Sequence, residues 1–461
     1  MALTAALSSS IVGVTAGLIL VPGDPGYDAC RRVFNAGIDR RPAAIWRCRS
    51  TEDVQRAIVA AQELGLPPTI RGGGHNVAGL AVSDGGLMID LSRMREVHVD
   101  PVAFTVSVEG GCTWATVDSA TVNYGAAVPG GTVSSTGVGG LTLGGGVGWL
   151  AGCAGLSCDY LIGADLVTAD AQHRFVDLRA DPDLLWALRG GGGNFGVVTR
   201  FHFNMFDVPA IVSGSIRLTL RELPLAIATL ERVAPQIPDS LTCSLTLISD
   251  KLSDKYVSID FACAAANTSH AIDVAAWFWS HFKQQPLPQL DFGYLKTQAM
   301  LDPAFVEPRR CYWRSCYINE LSNDFSAALV DAFAECTSPS SVIILEHLHG
   351  AYSREPIGGA AFSQREHSFN LAIAAQWTSG AEDEVHKAWC KRTHNALTQF
   401  SCGSAYVNYV IPDQDVTSRQ MYHEDSLARL RTVKTRVDPS NLFRANHNIL
   451  PLSNLNSEAS R

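Results

Sequence analysis

The sequence predicts an α+β protein that is divided into two domains. The first observation is length, because 461 residues are too many for one ordinary hydrophobic core. The second is a change of pattern: residues 40–205 place glycine clusters between short β-like runs, whereas residues 210–400 alternate helical patterns with strand-like runs. The third is a further change over residues 404–455, which we expect to form one strand, one amphipathic helix and a tail rich in Arg and Asn.

These changes set the expected domain boundaries. We expect the first domain to span residues 1–208, the second to span residues 209–403, and residues 404–461 to return to the first domain. Strand-like runs such as residues 342–348 and Phe369–Trp377 predict an antiparallel sheet in the second domain. The helical patterns between them predict helices that back this sheet.

The composition excludes several classes of function. A formal net charge of -9 without any Lys/Arg run argues against a nucleic-acid partner. The apolar run over residues 11–21 is too short to span a bilayer, and no basic residue precedes Arg31. We therefore expect a helix-and-strand entry over residues 3–20, no membrane association and a cytoplasmic location. The twelve cysteines have neither a CxxC pair nor zinc-ligand spacing, which predicts reduced thiols and no metal site.

A helix, a strand and a glycine turn are predicted in succession before residue 76. Ser50 begins the helix with a sequence typical of a capping box, and apolar residues then recur at helical spacing up to Leu64. Gly65 ends the helix, and the two prolines that follow prevent its continuation. A short strand over residues 69–71 then leads directly into the glycine turn of residues 72–74.

Three glycine-rich stretches dominate the first domain. They lie at residues 71–76, 129–148 and 189–196. Glycine permits positive φ angles and close approach of backbone N–H groups to an anion, although tight turns alone also need glycine. Three such loops within about 125 residues favour a pyrophosphate-binding function over turns alone.

The stretch from Gly191 to Gly196 satisfies the G-x-G-x-x-G pattern of nicotinamide-binding domains. That pattern must follow a strand and open a helix. Here it follows a helical run over residues 183–188 and precedes a strand-like run over residues 197–203. Because this order is reversed, we discount a nicotinamide-binding Rossmann domain.

Four motifs in order resemble one family of flavoenzymes. RGGGHN, PGGTVSSTGVGGLTLGGGVGWL, GLSCDYLIGADLVTAD and LLWALRGGGGNFGVVT are similar to the flavin domain of the berberine bridge enzyme-like oxidases. This family is a branch of the p-cresol methylhydroxylase (PCMH) and vanillyl-alcohol oxidase superfamily. The C-terminal YVNY and DPSNLFRANHNI resemble its closing segment, so the resemblance covers about residues 20–455. It implies a two-part PCMH-type FAD-binding domain beside the substrate domain.

The resemblance implies that FAD is attached covalently through His75. The family joins the flavin 8α-methyl group to the histidine of its RGGGH loop, and a neutral imidazole is a suitable nucleophile. Many relatives form a second bond from a cysteine, but Val133 stands at that position. We therefore expect a single covalent bond, and we expect Cys158 to be a structural thiol.

The resemblance also assigns a set of residues to the flavin site. Thr136 stands where relatives carry an oxygen-gating Val or Leu, so it could leave an oxygen pocket open, or simply satisfy a nearby carbonyl. The expected FAD-binding residues are Arg71, Gly72, Gly73, Gly74, His75, Asn76, Gly130, Gly131, Val133, Ser134, Thr136, Gly137, Gly139, Gly140, Leu141, Gly145, Gly146, Gly148, Asp159, Gly193, Asn194, Gly196, Val197, Val198, Tyr406, Asn408, Asn446 and Asn448.

Three residues besides Thr136 are candidates for chemistry on the substrate. Glu346 lies in an apolar strand-like run. Burial of its charge there would be costly, which favours a functional role over a purely structural one, and burial would raise its pKa. His349 is the alternative in the same run, on the opposite face from Glu346 by the alternation expected there. Tyr406 is the family-matched candidate for substrate contact or base, and a buried, hydrogen-bonded tyrosine is the structural alternative. Asn408 would share its side of a strand.

The resemblance implies two-electron oxidation of a small organic substrate, of the secondary-metabolite or alkaloid class, with dioxygen reoxidising the flavin to give hydrogen peroxide. The alternatives are a cyclase or isomerase that retains FAD without net oxidation, and a reductase related to the UDP-N-acetylmuramate branch. The protein is expected to be a monomer or homodimer. Loss of Glu346, Tyr406 and the oxygen pocket would favour the cyclase or isomerase, and their retention favours oxidation.

Overall fold

The computed structural model describes residues 19–208, 210–251, 254–282, 289–305, 309–414 and 416–453. Most of the predicted N-terminal entry, residues 3–18, lies outside the described residues, as do residues 454–461 of the tail. No helix in the described ranges is long and apolar enough to cross a bilayer. The same ranges contain no cluster of metal-ligating side chains, and no disulfide bond joins the cysteines within them.

The strands begin with a short N-terminal pair and end with the long antiparallel strands of the second half of the chain. They are β1 Ile19–Leu20, β2 Ala44–Arg47, β3 Pro68–Arg71, β4 Leu87–Asp90, β5 Val97–Asp100, β6 Thr105–Glu109, β7 Ala126–Ala127, β8 Leu161–Val167, β9 His173–Asp177, β10 Val197–Asn204, β11 Phe206–Asp207, β12 Ala210–Thr219, β13 Leu241–Lys251, β14 Asp254–Ala265, β15 Asp291–Phe292, β16 Arg310–Ile318, β17 Val342–His347 and β18 Phe369–Trp377.

The α-helices are mostly short in the first half of the chain and longer in the second. They are α1 Tyr27–Cys30, α2 Thr51–Glu63, α3 Trp114–Thr121, α4 Val138–Leu143, α5 Ala151–Ala154, α6 Pro182–Leu188, α7 Leu223–Val233, α8 Thr268–Ser280, α9 Tyr294–Gln298, α10 Asn323–Ala334, α11 Asp383–Leu397, α12 Ser418–Met421 and α13 Glu424–Val437.

Three main sheets organise the described chain. A four-stranded sheet has the order β1-β2-β4-β3, and its β2-β4 and β3-β4 pairs are parallel. A five-stranded antiparallel sheet has the order β5-β6-β10-β8-β9. The third is an antiparallel sheet of seven strands in the order β15-β12-β14-β13-β17-β18-β16. Helices α7, α10 and α11 share one hydrophobic core with this sheet, which confirms the α+β class.

Local predictions for the first domain are confirmed. Helix α2 begins after Ser50, whose hydroxyl accepts a hydrogen bond from the backbone N–H of Asp53, and it buries Val54, Ala57 and Ile58. Strand β3 follows and enters the glycine turn. The helix-before-strand order around the G-x-G-x-x-G stretch is also present, as α6 and β10.

The predicted strand in the C-terminal segment is wrong. The residues after Tyr406 form a 3-10 turn, Val407–Tyr409, and no strand occurs among the described residues after β18. A YVNY sequence alternates in a way that suits a strand, but in the fold each of its polar groups finds a partner in another element. The predicted amphipathic helix of this region is present as α13.

Candidate active site

A long cavity runs between the glycine-rich loops and the seven-stranded sheet. Phe305, Trp313, Ile344, Val407 and Tyr409 form its wall on the sheet side. Nineteen of the residues predicted for the flavin site line it, and all three glycine stretches contribute. These residues are Gly72, Gly73, Gly74, His75, Asn76, Gly131, Val133, Thr136, Gly137, Gly139, Gly140, Leu141, Gly193, Asn194, Gly196, Val198, Tyr406, Asn408 and Asn446.

The first two glycine stretches touch each other beside the cavity. A Cβ atom added to Gly73 would overlap the backbone of Gly137, and one added to Gly137 would overlap that of Gly73. By contrast, a Cβ on Gly140 would meet no heavy atom within 4 Å. Glycine at the first two positions therefore permits close approach of the two loops, whereas Gly140 leaves open space beside its backbone.

Nine of the predicted flavin-site residues do not line the cavity. Arg71 instead donates to the backbone carbonyl of Cys30 and lies 3.8 Å from Asp90. Glycine is required at position 148 because an added Cβ would overlap the carbonyl oxygen of Gly130. Gly148 therefore permits close packing of its backbone against that of Gly130. The residues outside the lining are Arg71, Gly130, Ser134, Gly145, Gly146, Gly148, Asp159, Val197 and Asn448.

Asp159 has a different role from the one that the family motif suggested. Its carboxylate accepts two hydrogen bonds from the Arg365 guanidinium, at 2.5 and 3.1 Å, and both side chains are buried. It also accepts the backbone N–H of Leu156. The pair joins the segment after α5 to the segment before β18, so Asp159 links two parts of the fold rather than contacting the cavity.

His75 lines the cavity, and its side chain packs against neighbouring residues. Its ring stacks on Phe34 with centroids 4.0 Å apart, and its Nε2 lies 3.2 Å from the Ser135 hydroxyl. Burial lowers the pKa of His75 to about 4, so the imidazole is neutral at physiological pH. A neutral imidazole at the cavity wall retains a nitrogen lone pair for chemistry.

The loop opposite His75 is anchored from the substrate side of the fold. Ser134 donates its backbone N–H and its hydroxyl to the carboxylate of Asp302, at 2.8 and 2.5 Å. Val133 and Thr136 on the same loop line the cavity. This anchor fixes the loop that carries Ser135, the hydrogen-bond partner of His75.

A buried ion pair in the C-terminal segment connects this segment to the third glycine stretch beside the cavity. Lys434 donates to the Asp438 carboxylate at 2.7 Å, to the Asn194 carbonyl at 2.8 Å and to the Phe443 carbonyl at 3.0 Å. Both charged side chains are fully buried. The Asn194 side chain in turn accepts the backbone N–H of Ile449. The ion pair thus holds the third glycine stretch against the C-terminal tail.

Glu346 lies on the cavity side of β17. Its side chain shares the sheet face of Ile344, a cavity-lining residue two positions earlier. One carboxylate oxygen accepts the Asn370 side-chain amide at 2.6 Å, and the other accepts the Tyr409 hydroxyl at 3.1 Å. Burial raises the pKa of Glu346, as expected for a carboxyl group in an apolar strand.

Tyr406 lines the cavity, and its hydroxyl is also held by neighbouring groups. Its hydroxyl oxygen accepts the backbone N–H of Gly146 at 3.0 Å and that of Val147 at 3.4 Å, and it also accepts the Asn408 side-chain amide at 2.9 Å. Burial raises its pKa. These hydrogen bonds position the loop around Gly146, and the role of Tyr406 in substrate contact or as a base stays a prediction.

His349 also lies away from the cavity lining. Its Nε2 contacts the Pro238 carbonyl at 3.3 Å, and its ring stacks on His347 with centroids 4.3 Å apart. Burial lowers the pKa values of both histidines, to about 3 for His347. The strand ends at His347, and His349 packs beside Gly152 instead of lining the cavity.

Several cavity residues were not predicted from the sequence. Tyr409, Trp313 and Phe305 form an aromatic wall in which the Trp313 ring lies 5.4 Å from Tyr409 and 5.7 Å from Phe305. His447 lines the same cavity outside this aromatic wall, and burial lowers its pKa to about 4. The YVNY motif contains Tyr409. A strand there would put Tyr406 and Asn408 on one side and Tyr409 on the other, so the predicted strand did not indicate Tyr409.

The cavity residues fit a flavin dinucleotide. No Asp, Glu, Lys or Arg occurs among the described lining residues, so backbone N–H groups of the glycine loops would hold the pyrophosphate. Two buried polar atoms at the lining, Asn446 Oδ1 and His447 Nε2, have no hydrogen-bond partner in the described chain. Such unpaired groups are available to the polar edge of a bound ring. Val133 offers no thiol beside His75.

Comparison with known proteins agrees with this geometry. The family description "FAD binding domain" matches residues 42–176, and "Berberine and berberine like" matches residues 405–450. The chain is 29% identical over 457 residues to a FAD-linked oxidoreductase of Dictyostelium discoideum, with 95% of each chain covered. It is 26% identical over 461 residues to (R)-6-hydroxynicotine oxidase of Paenarthrobacter nicotinovorans, covering 94% of this chain and 97% of that one.

A solved structure shows the same fold. The BBE-like 1 protein of Physcomitrella patens superposes with a TM-score of 0.86 at 21% identity, covering 98% of this chain and 99% of that one. The chain therefore resembles the berberine bridge enzyme-like, PCMH-type FAD-linked proteins in two matched segments and in fold. It is an FAD-dependent oxidoreductase.

Proposed function

We propose that this protein is an oxidase that removes a hydride and a proton from a small organic substrate and passes the two electrons to dioxygen. The observation that carries the proposal is the contact between Glu346 and Tyr409 at the cavity wall. The FAD, when bound, supplies the acceptor for a hydride from carbon and releases the electrons to dioxygen as hydrogen peroxide. The remaining chemistry, removal of a proton from oxygen or nitrogen, requires a base in the protein.

Glu346 is that base in the proposal. Its carboxylate is buried, which raises its proton affinity, and it has no cationic partner among the described residues. Asn370 holds one oxygen, and the Tyr409 hydroxyl joins the other oxygen to the cavity. A proton taken from the substrate can therefore reach Glu346 through Tyr409, which lines the cavity. Presence of this pair favours oxidation over a cyclase or isomerase without net oxidation.

The wall of the cavity supports an aromatic or alicyclic substrate without charge. Phe305, Trp313, Ile344 and Tyr409 are apolar or aromatic, and no charged side chain lines the described cavity. The Trp313 ring nitrogen is buried and has no partner in the described chain, so it is available to a hydrogen-bond acceptor of the substrate. Alkaloid-like and polyketide-like alcohols or amines combine these properties. Thr136 is small enough to leave space for dioxygen beside the flavin.

The central test is the rate of flavin reduction in Glu346→Gln. First, peroxide release is screened against alcohols, amines and aromatic polyketides to find a substrate. Anaerobic stopped-flow absorbance then measures flavin reduction, which we expect to slow by about 10²–10⁴-fold because the proton acceptor is lost. Glu355→Gln, an exposed carboxyl outside the cavity, is the matched control and should reduce at the parent rate. A reduction rate in Glu346→Gln within about threefold of the parent would show that Glu346 is not the base.

We further propose that FAD is attached through His75 by a single covalent bond. The neutral ring at the cavity and the absence of a thiol at Val133 support it. After acid precipitation, the yellow flavin should remain in the protein pellet, and it should move to the supernatant in His75→Ala. Flavin in the supernatant of the parent protein would contradict covalent attachment.

A further inference from the structure

One row of polar side chains crosses the seven-stranded sheet at Glu346. Strand pairing places Glu346 of β17 opposite Ser244 of β13, Ser244 opposite Asp260 of β14, and Asp260 opposite Ser215 of β12. Directly paired residues project from the same face of a sheet. All four side chains therefore lie in one line on the face that Glu346 shares with the cavity.

Spacing within the row is suited to hydrogen bonding between neighbours. Cβ atoms of directly opposed residues lie about 4.5–5.5 Å apart, which places a serine hydroxyl within reach of a carboxyl group on either side. The Ser244 hydroxyl is buried and has no hydrogen-bond partner in the described chain. It makes no hydrogen bond to Glu346 or Asp260 in this structure, so transfer through Ser244 requires its hydroxyl to turn toward each neighbour in the row.

Asp260 is an unusual residue for the interior of a sheet. It is only 4% exposed, and no Lys, Arg or His among the described residues pairs with it. Its Oδ1 accepts the hydroxyls of Ser215 at 2.6 Å and Ser258 at 2.8 Å. Burial raises the pKa of Asp260, as it does for Glu346.

The row ends at solvent. Ser215 is exposed, although its hydroxyl donates to the buried Asp260. Strand β15 covers the edge of β12 only at Val212 and Ser213, so it does not extend to Ser215. Glu346 itself is 8% exposed.

We propose that Ser244, Asp260 and Ser215 form a proton relay that carries the proton taken up by Glu346 to solvent. The relay rests on the proposed function, because Glu346 must first act as the base. Ser244 and Asp260 are then positioning and transfer residues that do not touch the reacting atoms.

The transfer is balanced in protons and involves no electrons. Protonated Glu346 donates to the oxygen of Ser244, which at the same time releases its own hydroxyl proton to the Asp260 carboxylate. Asp260 passes a proton to the oxygen of Ser215, which releases its own to water. Glu346 ends as a carboxylate, ready for the next substrate, and each hydroxyl and Asp260 return to their starting state.

The relay is tested in Asp260→Asn and Ser244→Ala of the FAD-loaded enzyme. Stopped-flow absorbance of the flavin and of a pH indicator separates flavin reduction from proton release. In both variants we expect single-turnover flavin reduction to stay within about threefold of the parent, while proton release slows by about tenfold or more. The solvent deuterium isotope effect on steady-state turnover should rise, which a purely structural role would not cause.

Ser315→Ala is the matched control. Its hydroxyl is also buried and without a partner in the described chain, and it lies on the same sheet face as Glu346 but one residue row away. It should release protons at the parent rate. Ser215→Ala, at the exposed end, provides a second test if Asp260→Asn folds poorly.

The outcomes separate this proposal from the one on which it rests. If Glu346→Gln slows flavin reduction but proton release in Asp260→Asn, Ser244→Ala and Ser215→Ala matches the parent, the relay is wrong and the base assignment stands. If Glu346→Gln leaves flavin reduction unchanged, the proposed base is wrong and the relay is overturned with it.

Discussion

Asp118 on helix α3 carries a carboxyl group in the interior of the protein without a partner. Both of its oxygens are buried and accept no hydrogen bond in the described chain, and burial raises the pKa far above the ordinary range for aspartate. The folded state therefore keeps the proton over a pH range in which the unfolded state has already lost it. Its contribution to stability is present at low pH and is lost as pH rises.

Asp118→Asn should stabilise the protein at neutral pH for this reason. The amide has no proton to lose, so the variant escapes a penalty that grows by about 1.4 kcal/mol per pH unit above the unfolded-state pKa until the folded-state pKa is reached. Urea unfolding at pH 4, 6 and 8 measures it, with the exposed Asp331→Asn as control. An advantage for Asp118→Asn that does not increase between pH 4 and pH 8 would contradict this account.

A second prediction at the scale of one residue concerns Val133 and the number of covalent bonds between protein and flavin. Val133 lines the cavity on the loop across from His75, where many relatives carry a cysteine bonded to the flavin. Val133→Cys should therefore form a second bond to the flavin, detected by mass spectrometry as a flavin that links two peptides. Val128→Cys, which is buried outside the cavity lining, should carry flavin on the His75 peptide alone. A singly linked flavin in Val133→Cys would show that the loop does not reach the ring.

At the scale of elements, helix α13 carries one buried charged residue that connects two other segments of the chain. Lys434 is paired with Asp438 and donates to carbonyls of the third glycine stretch and of the C-terminal tail. Desolvation lowers the pKa of Lys434, but Asp438 opposes this effect. Removal of the ammonium group would leave the Asp438 carboxylate buried and unpaired, which is costlier than loss of an exposed ion pair.

Lys434→Met should cost about 3–5 kcal/mol in the free energy of unfolding. Chemical denaturation measures the loss, and faster limited proteolysis after residue 440 would show that the tail has loosened. The control is Lys296→Met, because the ion pair of Lys296 with Asp291 is exposed and should contribute about 0–1 kcal/mol. Equal losses in the two variants would mean that the buried pair does not hold this region.

The YVNY segment shows where element prediction fails. Its alternation favours a strand by the same criterion that correctly predicted β17 and β18. The difference is that β17 and β18 pair along their lengths, whereas the Tyr406 hydroxyl bonds to the Gly146 backbone and the Tyr409 hydroxyl bonds to Glu346. A tight turn, unlike a strand, lets two tyrosines three positions apart reach partners in different elements.

At the scale of the whole molecule, the Asp159–Arg365 pair couples the glycine-loop half of the fold to the seven-stranded sheet. Arg365 also donates to the carbonyls of Tyr352 and Arg354, so its guanidinium closes a small buried network. The cavity lies between these two parts of the structure. Its shape therefore depends on how firmly they are held together.

Arg365→Met should weaken this coupling. We expect a loss of about 3–5 kcal/mol, because the Asp159 carboxylate remains buried without its cation. Thermal unfolding should show a rise in flavin fluorescence before the loss of far-UV circular dichroism, instead of the coincident transitions expected for the parent. Arg354→Met removes the exposed pair with Asp239 and is the control. Coincident transitions in Arg365→Met would argue against a coupling role.

The sequence by itself determined the α+β class, helix α2, the three glycine loops and the place of His75. Each of these depends on local pattern: a capping residue, helical spacing, or glycine where two backbones approach. Only the tertiary structure decided that Asp159 pairs with Arg365, that Tyr409 rather than Tyr406 meets Glu346, and that Ser244 and Asp260 continue the row from Glu346. Those contacts join residues tens to hundreds of positions apart, and the strand register that creates them follows from packing of the whole sheet.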